Sequence, residues 1–186
     1  MKKRYTLSIF TEDTVGLTNR ITIIFTRRRI NIESLTTSSS EIENVYRFTV
    51  VISLEEDNIK KLVKQIEKQI DVIKCFCYED HEVTYQEIAL YKVAATDNLL
   101  DGNEVEKIVR ENHARILTAK PDFMIIEKTG HEHETHALFE KLQPFGVLQF
   151  ARSGRVALSK ERQEVSILLK EYHSPMGESQ SVKEIV

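Results

Sequence analysis

The feature that most constrains this chain is a pattern of hydrophobic spacing that occurs twice in the same order. Tyr5, Leu7 and Ile9 alternate with Thr6 and Ser8, so residues 4–11 read as a half-buried strand. Leu17, Ile21, Ile24 and Phe25 then follow a helical spacing over 15–28. NIESLTTS (31–38) and NVYRFTVVIS (44–53) read as strands joined by the polar SSSEIE, with Tyr46, Phe48, Val50 and Ile52 on one face. EDNIKKLVKQIEKQI is the clearest helix, with Ile59, Leu62, Val63, Ile66 and Ile70 in one apolar stripe. DVIKCFCYE (71–79) closes the unit as a fourth strand.

The order then recurs. QEIALYKVAA (86–95) is a strand and NEVEKIVRENH (103–113) a helix with Val105, Ile108 and Val109 on one side. RILTAK and DFMIIEKT are strands that turn at Pro121. HEHETHALFEKL (131–142) is a helix that aligns Thr135, Leu138, Phe139 and Leu142, and GVLQFAR (146–152) is the last strand. Two βαββαβ units in tandem define an α+β protein of ferredoxin-like type. The expected domains are 1–79 and 80–159, joined through the polar 78–86, followed by an extension over 160–186 that starts with a short helix and ends as a mobile polar tail. Each unit places both helices on one face of its antiparallel sheet and leaves the other face bare. Bare faces and free edges favour pairing with a second copy, so a homodimer is expected.

Composition narrows the function classes. A formal charge of −3 argues against a general nucleic-acid binder, which carries a basic face. The βαββαβ order is shared with RNA-recognition modules, but NVYRFTVVIS lacks their glycine-containing aromatic signature. No apolar run is long enough to span a bilayer, and MKKRYTLSIFTED alternates as a strand does rather than as a signal peptide. Cys75 and Cys77 are the only cysteines and imply no disulfide framework. A cytoplasmic protein is expected. No nucleophile–base–acid set stands out, and no catalytic residue or metal site is assigned.

Gly16 opens the first helix, where glycine weakens the helix relative to alanine. The N–H groups of a helix start lack internal partners and carry partial positive charge, which suits a carboxylate or phosphate. A glycine there lets a ligand approach the backbone. Asn31, just after the helix, offers an amide that is both donor and acceptor, as a zwitterionic amino acid needs. A small apolar side chain would lie against Leu17 or Ile32. The structural alternatives stand beside this: Asp13 or Thr14 as a helix cap, Gly16 for tight packing, Asn31 as a C-terminal cap.

TEDTVGLTNRITIIFTRRRINIESLT closely resembles the opening of the small, regulatory subunit of acetolactate synthase, with NIESL the most specific element. ARSGRVALSK (151–160) resembles the signature near the end of that family's second domain. The likeness covers roughly residues 3–160. It implies that the first unit is an ACT domain, a module that binds small effectors at a dimer interface, and that the second unit activates the catalytic subunit. It further implies no active site in this chain. The catalytic partner, which holds thiamine diphosphate, magnesium and FAD, would be bound, activated and made sensitive to valine or another branched-chain amino acid. The family's effector motif maps onto Asp13, Gly16 and Asn31, with Val15, Leu17 and Ile32 adjacent. Asp13 stands where the family usually has asparagine, and Arg29 where a glycine commonly precedes NIESL. A carboxylate at 13 repels a ligand carboxylate and attracts an ammonium.

Among other constellations, HEHETH lacks the H-E-x-x-H spacing of a zinc protease and reads as a solvated helix start. Cys75 and Cys77 point to one strand face and read as packing. Arg27, Arg28 and Arg29 complement a helix C-terminus. Arg152, Arg155 and Lys160, around a glycine turn, are candidates for contact with the catalytic partner. The alternative for the whole chain is an ACT-type amino-acid sensor serving a different enzyme.

Overall fold

The computed structural model describes residues 2–94 and 103–162, together with 167 and 169. The first unit comprises β1 (Lys2–Glu12), α1 (Leu17–Arg27), β2 (Ile32–Ser39), β3 (Val45–Glu55), α2 (Glu56–Glu67) and β4 (Val72–Glu79). A 3-10 turn, Asp80–Glu82, leads directly into β5 (Val83–Ala94). Then follow α3 (Asn103–Glu111), β6 (Arg115–Ala119), β7 (Phe123–Gly130), α4 (Glu132–Leu142), β8 (Val147–Arg152) and β9 (Val156–Ser159). The sheet orders are β2-β3-β1-β4 and β6-β7-β5-β8, the same path twice, and every pairing is antiparallel. The α+β, tandem ferredoxin-like architecture is therefore as the sequence implies.

In the first unit Leu7, Ile9, Val50 and Ile52 meet Ile21, Phe25, Leu62 and Ile66, all essentially inaccessible to water. The second core repeats the arrangement with Tyr91, Val93 and Ile126 against Val105, Val109, Leu138 and Leu142. Burial of this kind contributes about 1.5–3 kcal/mol per large side chain, so each stripe fixes the face its helix presents. Ile70 departs from the expected stripe and is 99% exposed. The helix ends at Glu67, and the chain turns through Gln69, whose carbonyl accepts the N–H of Val72, before β4 begins.

The repeat extends to the helix ends. After α1, Arg29 adopts a left-handed φ of 54°, its N–H bonds Thr26 O at 3.0 Å, and the Ile30 N–H reaches back to Phe25 O at 3.0 Å. After α3, His113 has φ 52°, with His113 N–H to Arg110 O at 3.1 Å and Ala114 N–H to Val109 O at 2.9 Å. Both are Schellman caps, which glycine usually supplies.

Two expectations change. The linker is shorter than 78–86, because β5 starts at Val83 and its first residues pair with β9. The helix-free face of the first sheet is also not bare. Thr6, Ser8, Phe10, Thr49 and Val51 on that face are all buried. They are covered by the segment that follows β8, including Arg155 and Ala157, and by Leu169, which packs with Phe10 and Val45. The helix expected after Ser159 and the polar tail lie almost wholly outside the described residues.

Candidate functional site

β1 delivers the chain to the loop 13–16 at the end of the first sheet. Gly16 is the N-cap of α1 with φ 83° and ψ 2°, a left-handed conformation that side-chain-bearing residues adopt at a cost. No side chain caps this helix, and its first turn carries no acid. The first turns of α2, α3 and α4 by contrast carry Glu56 and Asp57, Glu104 and Glu106, and Glu132 and Glu134. Among the described α-helices, α1 alone keeps its positive end uncompensated by acids of its own first turn. A Cβ placed on Gly16 would meet nothing within 4 Å, so the space beside the helix start is open.

The loop is held from below. Asp13 N–H bonds Asn44 O at 3.0 Å, Glu12 N–H bonds Asp71 O at 2.9 Å, and Arg20 pairs with Asp71 while donating to Val15 O at 3.4 Å. Asp13 and Val15 are exposed, Val15 at 98%, and Leu17 is buried in the core beneath them. The Thr14 hydroxyl is buried without a hydrogen-bond partner among the described residues. Neither Asp13 nor Thr14 caps the helix through its side chain, which leaves the left-handed turn as the local reason for the glycine.

Asn31 and Ile32 are not brought to this loop. They follow the opposite end of α1, an 11-residue helix about 16 Å long. Asn31 is exposed, and Ile32 packs partly against the first core at the start of β2, an edge strand. Asn31 is not the C-terminal cap, since Arg29 and Ile30 close that end. Asp13, Val15, Gly16 and the backbone of Leu17 therefore form one cluster, and Asn31 with Ile32 forms another within a single chain.

The three candidate partner contacts differ. Arg155 is 1% exposed and lies inside the chain, so it offers no surface to a partner. Its guanidinium bonds Thr6 Oγ1 at 2.9 Å and Asp80 Oδ1 at 2.7 Å, and stacks 3.4 Å from the Tyr85 ring centre. Arg152 pairs with Glu87 at 3.4 Å and Glu132 at 3.1 Å, while Arg4 reaches Glu33 at 3.0 Å and Glu132 at 3.3 Å. This chain of alternating charges lines a cleft of about 530 Å³ between the units. Burial tends to raise the Glu132 carboxyl, but the hydrogen bond from Arg4 and the charge of Arg152 prevail and hold it below its ordinary value. Lys160 is exposed, with Nζ donating to His81 O at 2.9 Å. Thr6, Asp80 and Glu132 went unmarked in the sequence, where they read as ordinary polar positions.

The remaining constellations behave as solvated or packed groups. His131 meets Tyr85 edge-on at 4.4 Å and stacks on His133 at 5.7 Å, and among the described residues no three of His, Cys, Asp and Glu converge to hold a metal. Burial pushes the Cys77 thiol up to about 12 and Cys75 further, which suppresses thiolate chemistry at both. Among the described residues no helix is long and apolar enough to cross a membrane.

Residues 7–74 match the ACT domain of the acetohydroxyacid synthase small-subunit type, and residues 86–161 match the family model described as the small subunit of acetolactate synthase. The acetolactate synthase small subunit of Mycobacterium bovis is 35% identical over 158 residues, covering 85% of this chain and 93% of that protein. The chain belongs to the acetolactate synthase small-subunit family. Its Bacillus subtilis relative is 33% identical over 165 residues, with 88% and 94% covered. The crystal structure of the Thermotoga maritima small subunit superposes with a TM-score of 0.79 at 25% identity, covering 87% of this chain and 99% of that one. Membership of the acetolactate synthase small-subunit family makes a catalytic subunit the implied partner and accounts for the ACT-type first unit.

Proposed function

We propose that this chain binds and activates the acetolactate synthase catalytic subunit and confers feedback inhibition by valine or another branched-chain amino acid. In this reading the chain supplies no catalytic group. Thiamine diphosphate, magnesium and FAD belong to the catalytic partner, and both proteins work in the cytoplasm. The observation that carries the effector reading is the start of α1: uncapped by any side chain, without a first-turn acid, and open beside Gly16. Such a start accepts a carboxylate through backbone N–H groups and the helix dipole.

The separation of Gly16 from Asn31 within one chain supports a site completed by a second copy. β1 and β2 run in the same direction, each being antiparallel to β3. Antiparallel pairing of two β2 edges would carry the partner's copy of the β2 start to the end of the sheet that bears Gly16. One copy then offers the helix start and the other an amide for the ammonium group. A metabolite sensed near millimolar needs about −4 kcal/mol, which a backbone cradle, an amide and a small apolar contact can supply.

Titrating the purified protein with valine, leucine and isoleucine by calorimetry tests this, with Gly16→Asp as control. Saturable heat with one of the three, absent in Gly16→Asp while that variant still assembles with the catalytic subunit, is the expected result. Loss of assembly in Gly16→Asp would refute the separation of sensing from activation. Absence of heat with all three in the wild-type protein would refute sensing by the isolated subunit.

A further inference from the structure

The segment after β8 is tied to both sheets at once. On the side of the second unit, Ser153 N–H bonds Ile88 O at 2.8 Å, and Ile88 N–H bonds Ser153 Oγ at 2.9 Å. Three residues later β9 pairs with the start of β5 from Val83 to Gln86. On the side of the first unit the same segment touches three strands. The Arg155 side chain reaches β1 at Thr6, and the Arg155 N–H donates to Ser34 Oγ on β2 at 3.1 Å. Arg47 of β3 bonds both Ser8 Oγ at 3.1 Å and the carbonyl of Ala157. Gly154 lies so close to β2 that a Cβ there would fall 2.2 Å from Thr36 Oγ1, 2.8 Å from Ser34 Oγ and 3.1 Å from Leu35 O.

We propose that this strap, Ser153–Ser159, is the element through which an effector bound to the first sheet acts on the second unit. The proposal rests on the effector reading above. Two of the three strands the strap grips lead to the proposed effector residues: β1 runs into Asp13–Gly16, and β2 begins beside Asn31. A ligand that draws those ends into a new arrangement shifts Thr6 or Ser34 against Arg155. The contact at Gly154 leaves no slack to absorb the shift, because packed interfaces have discrete arrangements rather than continuous play. Arg155 passes the shift on through Asp80 and Tyr85, at the 3-10 turn and the root of β5. A fully buried guanidinium keeps its partners, since an unpaired buried charge is costly, so Arg155 moves with its partners rather than releasing them.

Three variants outside the effector residues test this in the holoenzyme reconstituted with the catalytic subunit. Gly154→Ala lifts the strap from β2, Thr6→Val removes an acceptor of Arg155 at nearly constant shape, and Lys60→Ala, on the exposed face of α2, is the control. Three quantities are measured for each: effector affinity by calorimetry, using whichever of valine, leucine or isoleucine binds the wild-type protein; activation of the catalytic subunit without effector; and inhibition at saturating effector. Gly154→Ala and Thr6→Val are expected to keep affinity within about twofold and to keep activation, while inhibition falls at least fivefold, a loss of coupling of the usual allosteric size. Lys60→Ala should match the wild type in all three. Full inhibition in both strap variants overturns the proposal. Equal loss of activation and inhibition also overturns it, because the strap would then be a structural brace alone. If the wild-type protein binds none of the three amino acids, the effector reading fails and this proposal falls with it. Binding in every variant with inhibition unchanged refutes the strap alone.

Discussion

Replacing Gly16 separates two reasons for a glycine at the start of α1. Its φ of 83° lies in the left-handed region, which costs a residue with a Cβ about 1–2 kcal/mol. A Cβ meets no atom within 4 Å, so no steric clash adds to that cost. Alanine also narrows the unfolded ensemble, which offsets about 0.4–1 kcal/mol. At the middle of each range Gly16→Ala is therefore expected to destabilise by about 0.8 kcal/mol, read as a lower urea midpoint at unchanged slope. Asparagine tolerates the left-handed region far better, so Gly16→Asn should recover most of that loss.

The two variants then diverge on ligand binding. Asparagine restores the backbone but places an amide in the open space beside the helix start. If that space receives an effector carboxylate, Gly16→Asn binds effector at least tenfold more weakly, about 1.4 kcal/mol, despite near-native stability. Calorimetry and denaturation on the same samples measure both quantities. Wild-type affinity in Gly16→Asn would refute the ligand-space argument and leave the glycine as a backbone device. A Gly16→Ala protein as stable as the wild type would refute the conformational argument itself.

The Schellman caps give a prediction of opposite sign. Arg29→Gly and His113→Gly each remove a left-handed side-chain-bearing residue, and each should raise stability by about 1 kcal/mol in urea denaturation. Ile70→Lys should change stability by less than about 0.5 kcal/mol, because its side chain is 99% exposed, whereas a loss of several kcal/mol would restore it to the α2 stripe. Glu132 supplies the pH dependence. Its carboxyl is held below the ordinary 4.5, so the unfolded chain binds the extra proton first as pH falls. Its contribution is complete above about 4.5 and is lost as pH drops through the folded-state value. The urea midpoint should be flat between about pH 7 and 5 and fall below that, with a shallower fall in Glu132→Gln.

The sheet paths were legible because two periods, alternating and helical, leave few topologies open to a chain of this length. Boundaries moved where a local turn outweighed periodicity, as at Ile70, which continues the α2 spacing but follows the helix end. The covered face of the first sheet was hidden by residue type. Thr6 and Ser8 alternate with Leu7 and Ile9 and read as solvent-facing, yet they are buried because they serve as hydrogen-bond partners for Arg155 and Arg47. A signal was available in β3, where Val50, Val51 and Ile52 run together and mark burial on both faces. Arg155 carried no such signal. A single arginine near a glycine turn looks like surface, and only the three-dimensional placement of Thr6 and Asp80 brings it inside. The distance between Gly16 and Asn31 is itself carried by the sequence, since the two flank opposite ends of α1, and 11 residues at about 1.5 Å each span about 16 Å. What one chain's sequence does not carry is which end a second copy would bring near.

The two units share one strand path and differ at two places. Both close their first helix with the same cap, at Arg29 and at His113, so the scaffold has been kept. At the opposite end α3 carries Glu104 and Glu106 in its first turn, which satisfy its dipole internally, and α1 carries none. A helix start that neutralises itself has little to gain from an anionic ligand, so the proposed sensing through a helix dipole falls to the first unit. The strap has the converse asymmetry. It arises from the second unit, after β8, and is spent on covering the first sheet, where it ties β1, β2 and β3 to β5. An uncompensated helix start in one unit and a rigid grip from the other are the two parts that a ligand-driven change needs in order to leave the domain in which it begins.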